Sequence, residues 1–193
     1  MEFIIAADHR LFEFLNSTLT HPWLDVFFPF ITDLHKSPFF QWTVCPAIFF
    51  SLFYYYRKKS WLIFLSLVVC ISLTDFIGSQ LIKNNVNRLR PGDNPTVISA
   101  IKSPYGGTSF ISNHSANMFA FASFISVFIP PLKLFFYSIA FIIAYSRIYV
   151  GVHFPLDVII GGLFGLLMGK TFSFFCIHWL KIKLHFLNTK RES

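Results

Sequence analysis

The sequence predicts an all-α protein, a polytopic integral membrane helix bundle with five or six transmembrane helices and an N-terminal interfacial helix. Of its 193 residues, 54% are hydrophobic and only 13% are charged, too little charge to cover the surface of a water-soluble domain. Five stretches reach the length of about 20 apolar residues that crosses a bilayer as a helix. The N-terminal third instead mixes charged and apolar residues within each helical turn. We therefore expect residues 1–193 to form one membrane domain.

The N-terminal segment, residues 1–36, is expected to form interfacial or short spanning helices. It begins with Glu2, Asp8 and Arg10 among apolar positions, as an interfacial helix does. This pattern lacks the basic start and unbroken apolar run of a cleavable signal peptide, so we expect the segment to remain in the mature protein. Residues 23–34, WLDVFFPFITDL, are short and contain two Asp, which predicts either a tilted sixth span or a second surface helix.

Five clear spans follow, and basic residues orient them. The predicted spans are residues 38–56, 61–82, 114–130, 133–151 and 155–176. Short connections that carry Lys and Arg are retained in the cytoplasm. Nine such residues fall on one face, which we assign to the cytoplasm: Arg57, Lys58, Lys59, Lys133, Lys170, Lys181, Lys183, Lys190 and Arg191. The opposite face contains five cations where this rule expects few: Lys83, Arg88, Arg90, Lys102 and Arg147.

Composition also restricts the partners. The formal charge of +7, in a chain that is immersed in lipid, fits anionic lipid or phosphate better than nucleic acid. Cys45, Cys70 and Cys176 lie singly in apolar runs without the spacing of a zinc or redox motif, so they are interpreted as small hydrophobic residues. The composition thus predicts the lipid bilayer as a partner and leaves the oligomeric state open.

The long polar segment 83–113 is predicted to be an extracytoplasmic active-site loop. Its Asn, Pro, Gly and Ser content is typical of a loop, and a loop of this length between membrane helices is uncommon unless it is functional. At its start, Arg90-Pro91 follows Lys83 by seven residues, which places two cations just outside the membrane. Basic side chains that reach toward the membrane surface produce the same pattern without any site.

Two further polar groups lie on the same predicted face. At the end of the loop, Ser112-Asn113-His114 brings a hydroxyl, backbone amides and an imidazole to a helix N-terminus, which either binds an anion or simply caps the helix. Further on, Ser146-Arg147 ends a span, and His153 and Asp157 begin the next. Because Asp157 follows His153 at the fourth position, one helical turn on, the carboxylate can reach an imidazole nitrogen and hold its tautomer.

Together these residues resemble the motifs of the type 2 phosphatidic acid phosphatase (PAP2) superfamily of membrane lipid phosphatases. Those motifs are a Lys with Arg-Pro seven residues on, Pro-Ser-Gly-His, and Ser-Arg with His and Asp downstream. The first and third match at full spacing, within residues 83–157. In the second, Ile111 replaces the usual Pro and Asn113 the usual Gly. Asn tolerates left-handed backbone, so its amide can still face a phosphate; alternatively, its side chain narrows the pocket.

The resemblance implies the catalytic roles. His153 would be the nucleophile that forms a phosphohistidine, Asp157 would orient it, and His114 would protonate the leaving oxygen and later activate water. The phosphate-binding residues would be Lys83, Arg90, Ser112, Asn113 and Arg147. Because fixed cations can stabilise the negative charge on a phosphoryl group in transfer, we predict an enzyme without a metal or other cofactor.

The function expected from this resemblance is hydrolysis of a lipid phosphomonoester or diphosphate at the periplasmic or outer face of a bacterial inner membrane. Family substrates are undecaprenyl diphosphate, phosphatidylglycerol phosphate, phosphatidic acid and lipid A, and the sequence does not choose among them. Two alternatives remain open, a lipid phosphotransferase that uses the same phosphohistidine and a non-catalytic lipid-phosphate binding or transport protein. A vanadate-dependent oxidase shares the family's pocket, but its relatives are generally soluble, unlike this composition.

Five residues outside the motifs have less specific interpretations. Asp75 and Ser79 share one stripe of a helix with the motif residue Lys83. Asp75 therefore either supports Lys83 or makes a structural polar contact. For the loop residues Arg88, Lys102 and Tyr105, the pattern favours solvated side chains over contacts with a lipid headgroup.

Overall fold

The predicted helices are present in the computed structural model, which describes residues 2–34, 37–179 and 181. Within these ranges the α-helices are α1 (Glu2–Glu13), α2 (Pro22–Thr32), α3 (Cys45–Tyr56), α4 (Ser60–Phe76), α5 (Lys83–Val86), α6 (Asn113–Phe128), α7 (Lys133–Tyr149) and α8 (Pro155–His178). Turns of π-helix extend α1, α3 and α4, at Phe14–Thr18, Phe40–Val44 and Ile77–Ile82. No strand occurs among the described residues, and the all-α prediction is confirmed.

Three helical stretches of the described chain are long and apolar enough to cross a membrane, namely Phe40–Asp93, Pro130–Tyr149 and Pro155–His178. The first contains both α3 and α4, which meet at the basic turn Arg57–Lys59. The 11 residues of α2 extend only about 16 Å, about half of the hydrocarbon thickness, which favours the surface-helix interpretation of residues 23–34. The membrane-helix character is thus confirmed, while five or six spans stay a prediction.

The two groups of cations lie at opposite ends of the bundle. At one end, Lys59 Nζ donates a hydrogen bond of 2.6 Å to the carbonyl oxygen of Lys181, which joins the α3–α4 turn to the segment after α8. At the other end, the backbone N–H of Lys102 donates to the carbonyl oxygen of Val150, directly after α7, at 3.0 Å. Three of the cations assigned to the first end, Lys183, Lys190 and Arg191, lie outside the described residues.

Close packing of α8 on α6 positions the loops that flank these helices. Three glycines recur at every fourth residue of α8 and face the backbone at the start of α6 and along it: Gly161, Gly165 and Gly169. A Cβ atom at Gly165 would lie 2.0 Å from the carbonyl oxygen of Ala116, so the two backbones are nearly in contact. Small residues at this spacing are typical of close helix pairs in membranes. The contact continues to both N-termini, where the Ser112 N–H donates to the carbonyl oxygen of Asp157 at 3.0 Å.

The N-terminal helices pack over the same end of the bundle. Asn16 fixes the end of α1, because its Nδ2 donates to the carbonyl oxygen of Tyr149 at 2.8 Å and its Oδ1 accepts from the Ala100 N–H at 2.7 Å. Phe12 is fully buried and packs edge-on against Phe154, with ring centroids 5.3 Å apart. The helices of residues 2–34 therefore form part of the bundle at the end that carries the predicted site.

A second packed region lies among α3, α4 and α6. Leu52, Ile63, Phe124 and Phe128 are fully buried there. Tyr56 donates its hydroxyl to the carbonyl oxygen of Phe128 at 2.9 Å, so the aromatic core also satisfies a polar group. The cysteines are free; Cys70 and Cys176 are buried in or beside this region, and Cys45 is half-buried, in agreement with their interpretation as small hydrophobic residues.

Candidate active site

A cavity of about 520 Å³ lies between α3, α4 and α6 and ends at a polar cluster. The apolar part is lined by side chains such as Ile48, Phe64, Leu67, Ile71, Met118 and Phe121. The polar end is lined by six of the eight predicted site residues: Lys83, Arg90, Asn113, His114, Arg147 and His153. The fold therefore brings three motifs, which are far apart in the sequence, to one end of one cavity.

His153 lies in the short loop between α7 and α8 and is only 2% exposed. Its Nε2 is 3.4 Å from Arg90 Nη1. Because a guanidinium can only donate, Nε2 is the accepting nitrogen and Nδ1 carries the ring proton. Burial lowers the pKa of His153 from 6.5 to about 4; Asp157 acts against this shift, and the nearby charges of Arg90 and Arg147 add to it. The imidazole is therefore neutral at neutral pH and has a lone pair on Nε2.

Asp157, in the first turn of α8, is fully buried and strongly hydrogen-bonded. Its Oδ1 accepts from Arg88 Nη1 at 2.6 Å, and its Oδ2 accepts from the Phe154 N–H at 2.9 Å and from the Ser109 hydroxyl. Its Oδ2 is 3.6 Å from His153 Nδ1, longer than a hydrogen bond. The carboxylate therefore lies beside the imidazole at a distance just beyond hydrogen-bond range.

The three cations at the polar end are Lys83, Arg90 and Arg147. Neutral oxygens hold the two guanidiniums: Arg90 Nη1 donates to the carbonyl oxygen of Val152 at 2.7 Å, and Arg147 Nη1 donates to Thr32 Oγ1 at 2.6 Å. In the described part of the chain, no carboxylate lies within 4.0 Å of any of the three charges. Three cations without a paired carboxylate around a neutral imidazole form a site for a multiply charged anion.

The start of α6 differs in part from the sequence-based expectation. Ser112 is fully buried and caps α6, because its Oγ accepts from the Ser115 N–H at 3.4 Å, and its side chain does not line the cavity. Asn113 begins the helix without a left-handed backbone, so the conformational reason offered for Asn at this position does not apply. Its Nδ2 donates to Asp75 Oδ1 at 3.0 Å, which makes Asp75 a partner of the second motif.

His114 has a carboxylate partner that the sequence does not indicate. Its Nε2 is 3.4 Å from Oδ1 of Asp33, the residue directly after α2. The contact orients the imidazole at the wall of the cavity, which Arg147 also lines. The end of α2 thus reaches two predicted site residues, since the neighbouring Thr32 accepts from Arg147.

Several supporting residues were missed by sequence reasoning, and two were interpreted wrongly. The missed residues are Asp8, Thr32, Asp33 and Ser109. Arg88 and Lys102 are not solvated loop side chains: Arg88 contacts the carboxylates of Asp8 and Asp157, and Lys102 pairs with Asp25 at 2.8 Å. The one available signal was the position of Asp8 within an apolar pattern, which also fits an interfacial helix.

Comparison with known proteins places these features in a family. The family model described as the PAP2 superfamily matches residues 63–182. A lipid A 4'-phosphatase of Porphyromonas gingivalis is 32% identical over 93% of this chain and 79% of its own length. Phosphatidylglycerophosphatase B of Bacillus subtilis is 33% identical over 78% of this chain and 74% of its own length. The crystal structure of Aquifex aeolicus LpxE matches with a TM-score of 0.68 and 31% identity, covering 84% of this chain and 92% of that one.

The family match includes most of the helical bundle and every residue of the three motifs. It confirms the resemblance that the motifs indicate, and the phosphatase names of the relatives agree with an anion site at the end of an apolar cavity. The chain belongs to the PAP2 superfamily and is a lipid phosphatase of the PAP2 type.

Proposed function

We propose that this protein removes a phosphate from a membrane lipid through a phosphohistidine formed at His153, without a metal ion. The observation that carries the proposal is a set of three cations beside the neutral His153, at the polar end of an apolar cavity; no carboxylate among the described residues pairs with them. A phosphoryl group in transfer spreads negative charge over its equatorial oxygens, and fixed cations stabilise that charge. The apolar part of the cavity fits a hydrocarbon chain of the same molecule.

The proposed reaction has two steps. His153 Nε2 attacks phosphorus, the bond to the lipid oxygen breaks, and protonated His114 gives its proton to that oxygen. Asp157 stabilises the positive ring of the phosphohistidine through Nδ1–H. In the second step, His114 takes a proton from water, the resulting hydroxide attacks phosphorus, and inorganic phosphate leaves with His153 restored. Ser112 positions α6 in this scheme and does not contact the phosphate.

Among lipid phosphates, we propose lipid A as the leading substrate and phosphatidylglycerol phosphate as the second. The relative that acts on lipid A aligns with nearly the whole chain, whereas the phosphatidylglycerophosphatase aligns with a smaller part of it. We place the site at the periplasmic face of a bacterial inner membrane. The basic turn Arg57–Lys59 and Lys133 then face the cytoplasm, as positively charged connections do.

The test is release of inorganic phosphate by the purified protein in detergent. Lipid A, phosphatidylglycerol phosphate, phosphatidic acid and undecaprenyl diphosphate are supplied separately, and an extract that lacks the protein is the control. We expect the fastest release from lipid A. Recovery of the substrate's phosphate on a second lipid would instead indicate the phosphotransferase. No turnover of any of the four lipids would contradict the proposal.

Chelation of divalent metals is expected to change the rate of phosphate release by less than about two-fold, because side-chain cations supply the charge stabilisation. Initial rates are measured after dialysis against EDTA and again after Mg²⁺ is added back. Rates that fall to background in EDTA and recover with Mg²⁺ would show that a metal is required and would refute the metal-free mechanism.

A further inference from the structure

Arg88 connects two buried carboxylates that come from opposite ends of the chain. Its Nη1 is 2.6 Å from Asp157 Oδ1, and its Nη2 is 2.5 Å from Asp8 Oδ2. Asp8 is 4% exposed and Asp157 is fully buried. Hydrogen bonds between ionised partners are shorter and stronger than neutral ones, and the planar guanidinium fixes the directions of both.

Asp8 also holds the helix that carries Asp157. Its second oxygen, Oδ1, accepts from the Leu156 N–H at 2.9 Å. The N–H groups in the first turn of a helix have no acceptor within the helix, and the Leu156 N–H is one of these in α8. The helix dipole also favours a carboxylate at this end. The guanidinium of Arg88 also lies over the ring of Phe154, the residue next to His153, 4.2 Å from the ring centroid.

This arrangement controls both the direction and the charge of Asp157. Because Arg88 binds Oδ1 of Asp157, the other carboxylate oxygen, Oδ2, faces His153 Nδ1. Because Arg88 divides its charge between two carboxylates, Asp157 keeps more negative character than it would have in an exclusive pair with Arg88. Both effects favour the hydrogen bond that Asp157 must make when His153 becomes positively charged.

We propose that Asp8 and Arg88 are positioning residues of the catalytic centre and act on His153 through Asp157. The inference rests on the proposed roles of His153 and Asp157, and neither Asp8 nor Arg88 lines the cavity. Helix α1 then contributes Asp8 to the support of the active site, in addition to any contact that it makes with the membrane surface.

The direct test is Asp8→Asn, which keeps the shape of the side chain and an acceptor for the Leu156 N–H but removes the charge that Arg88 contacts. With lipid A as the probe, or whichever lipid of the four gives turnover, we expect kcat to fall about ten-fold and KM to change less than about two-fold. The matched control is Glu13→Gln on the same helix. Glu13 Oε1 accepts from the Ile98 N–H at 3.0 Å and has no link to Asp157 in the described structure, so its kcat should stay at the wild-type value.

A double-mutant cycle separates positioning from general support of the fold. If Asp8 acts through Asp157, adding Asp8→Asn to Asp157→Asn causes no further loss of kcat. If Asp8→Asn instead lowered kcat by the same factor in the wild-type protein and in Asp157→Asn, the inference would be overturned. Arg88→Lys, which keeps a cation but cannot bridge both carboxylates in the same way, is the second variant if Asp8→Asn does not fold, and it should also lose kcat. A normal kcat for Asp8→Asn beside a low kcat for Asp157→Asn refutes this inference alone, whereas a normal kcat for Asp157→Asn refutes the proposed mechanism.

Discussion

Replacement of His153 by alanine is expected to lower phosphate release at least about 10⁴-fold, the order of loss seen when the nucleophile of a catalytic unit is removed. The cations and the cavity remain in this variant, so the lipid still binds, but the imidazole nitrogen that is proposed to attack phosphorus is gone. The measurement is a single-turnover reaction with ³²P-labelled lipid. Wild-type protein should transiently carry label that survives alkali and is lost in acid, and His153→Ala should carry none.

The control for this variant is His178→Ala, which removes an imidazole from the far end of α8. His178 is stacked on Phe174, with centroids 3.9 Å apart, and is outside the cavity. Its turnover and its labelling should equal those of wild type. Labelled protein from His153→Ala would identify another nucleophile, and unchanged phosphate release would remove His153 from the mechanism.

The features that sequence reasoning predicted are those with a local pattern. Apolar runs identified the long helices, since hydropathy along a chain reports which segments avoid water. His153 and Asp157 were paired from a spacing of four residues, and the structure places them 3.6 Å apart at the start of α8. Lys83 and Arg90 were grouped by a spacing of seven residues, and both line the cavity.

The contacts that sequence reasoning missed join segments with no such pattern. Asp8 and Arg88 are 80 residues apart, and Arg88 and Asp157 are 69 apart. A charged residue in an amphipathic segment is compatible with water, with a headgroup or with a buried partner, and only tertiary packing decides among these. Asp8 was interpreted as part of an interfacial helix for this reason, although packing of α1 over Phe154 buries it.

Ser112 illustrates a second limit. A Ser before a helix both caps the backbone and offers a hydroxyl to an anion, and the sequence contains no information about which side of the helix end is open. The close approach of α8 leaves no room for an anion beside Ser112, since a Cβ at Gly161 would lie 2.6 Å from the Ser112 carbonyl oxygen. His114, two residues later, points to the cavity instead.

That close approach makes Gly165→Ala the substitution with the largest expected effect on the fold. In an exposed helix, replacing Gly by Ala stabilises by about 1 kcal/mol. Here the new Cβ would lie 2.0 Å from the carbonyl oxygen of Ala116 and 2.9 Å from the Ala120 nitrogen, both backbone atoms that cannot move without displacing α6. We expect a net destabilisation of about 3 kcal/mol or more, the upper range for an overpacked core. In a chain of this length, that corresponds to a fall of roughly 6 °C or more in Tm.

The matched control is Gly106→Ala in the loop of residues 83–113, where an added Cβ has no heavy atom within 4 Å and the backbone is not left-handed. Its Tm and phosphate release should equal those of wild type, measured by tryptophan fluorescence and by lipid hydrolysis in the same detergent. Phosphate release by Gly165→Ala should fall together with its Tm, because α6 and α8 carry His114 and Asp157 to the site. A stable Gly165→Ala protein with normal turnover would show that the two helices separate without disturbing the catalytic centre, and that their contact is not what positions it.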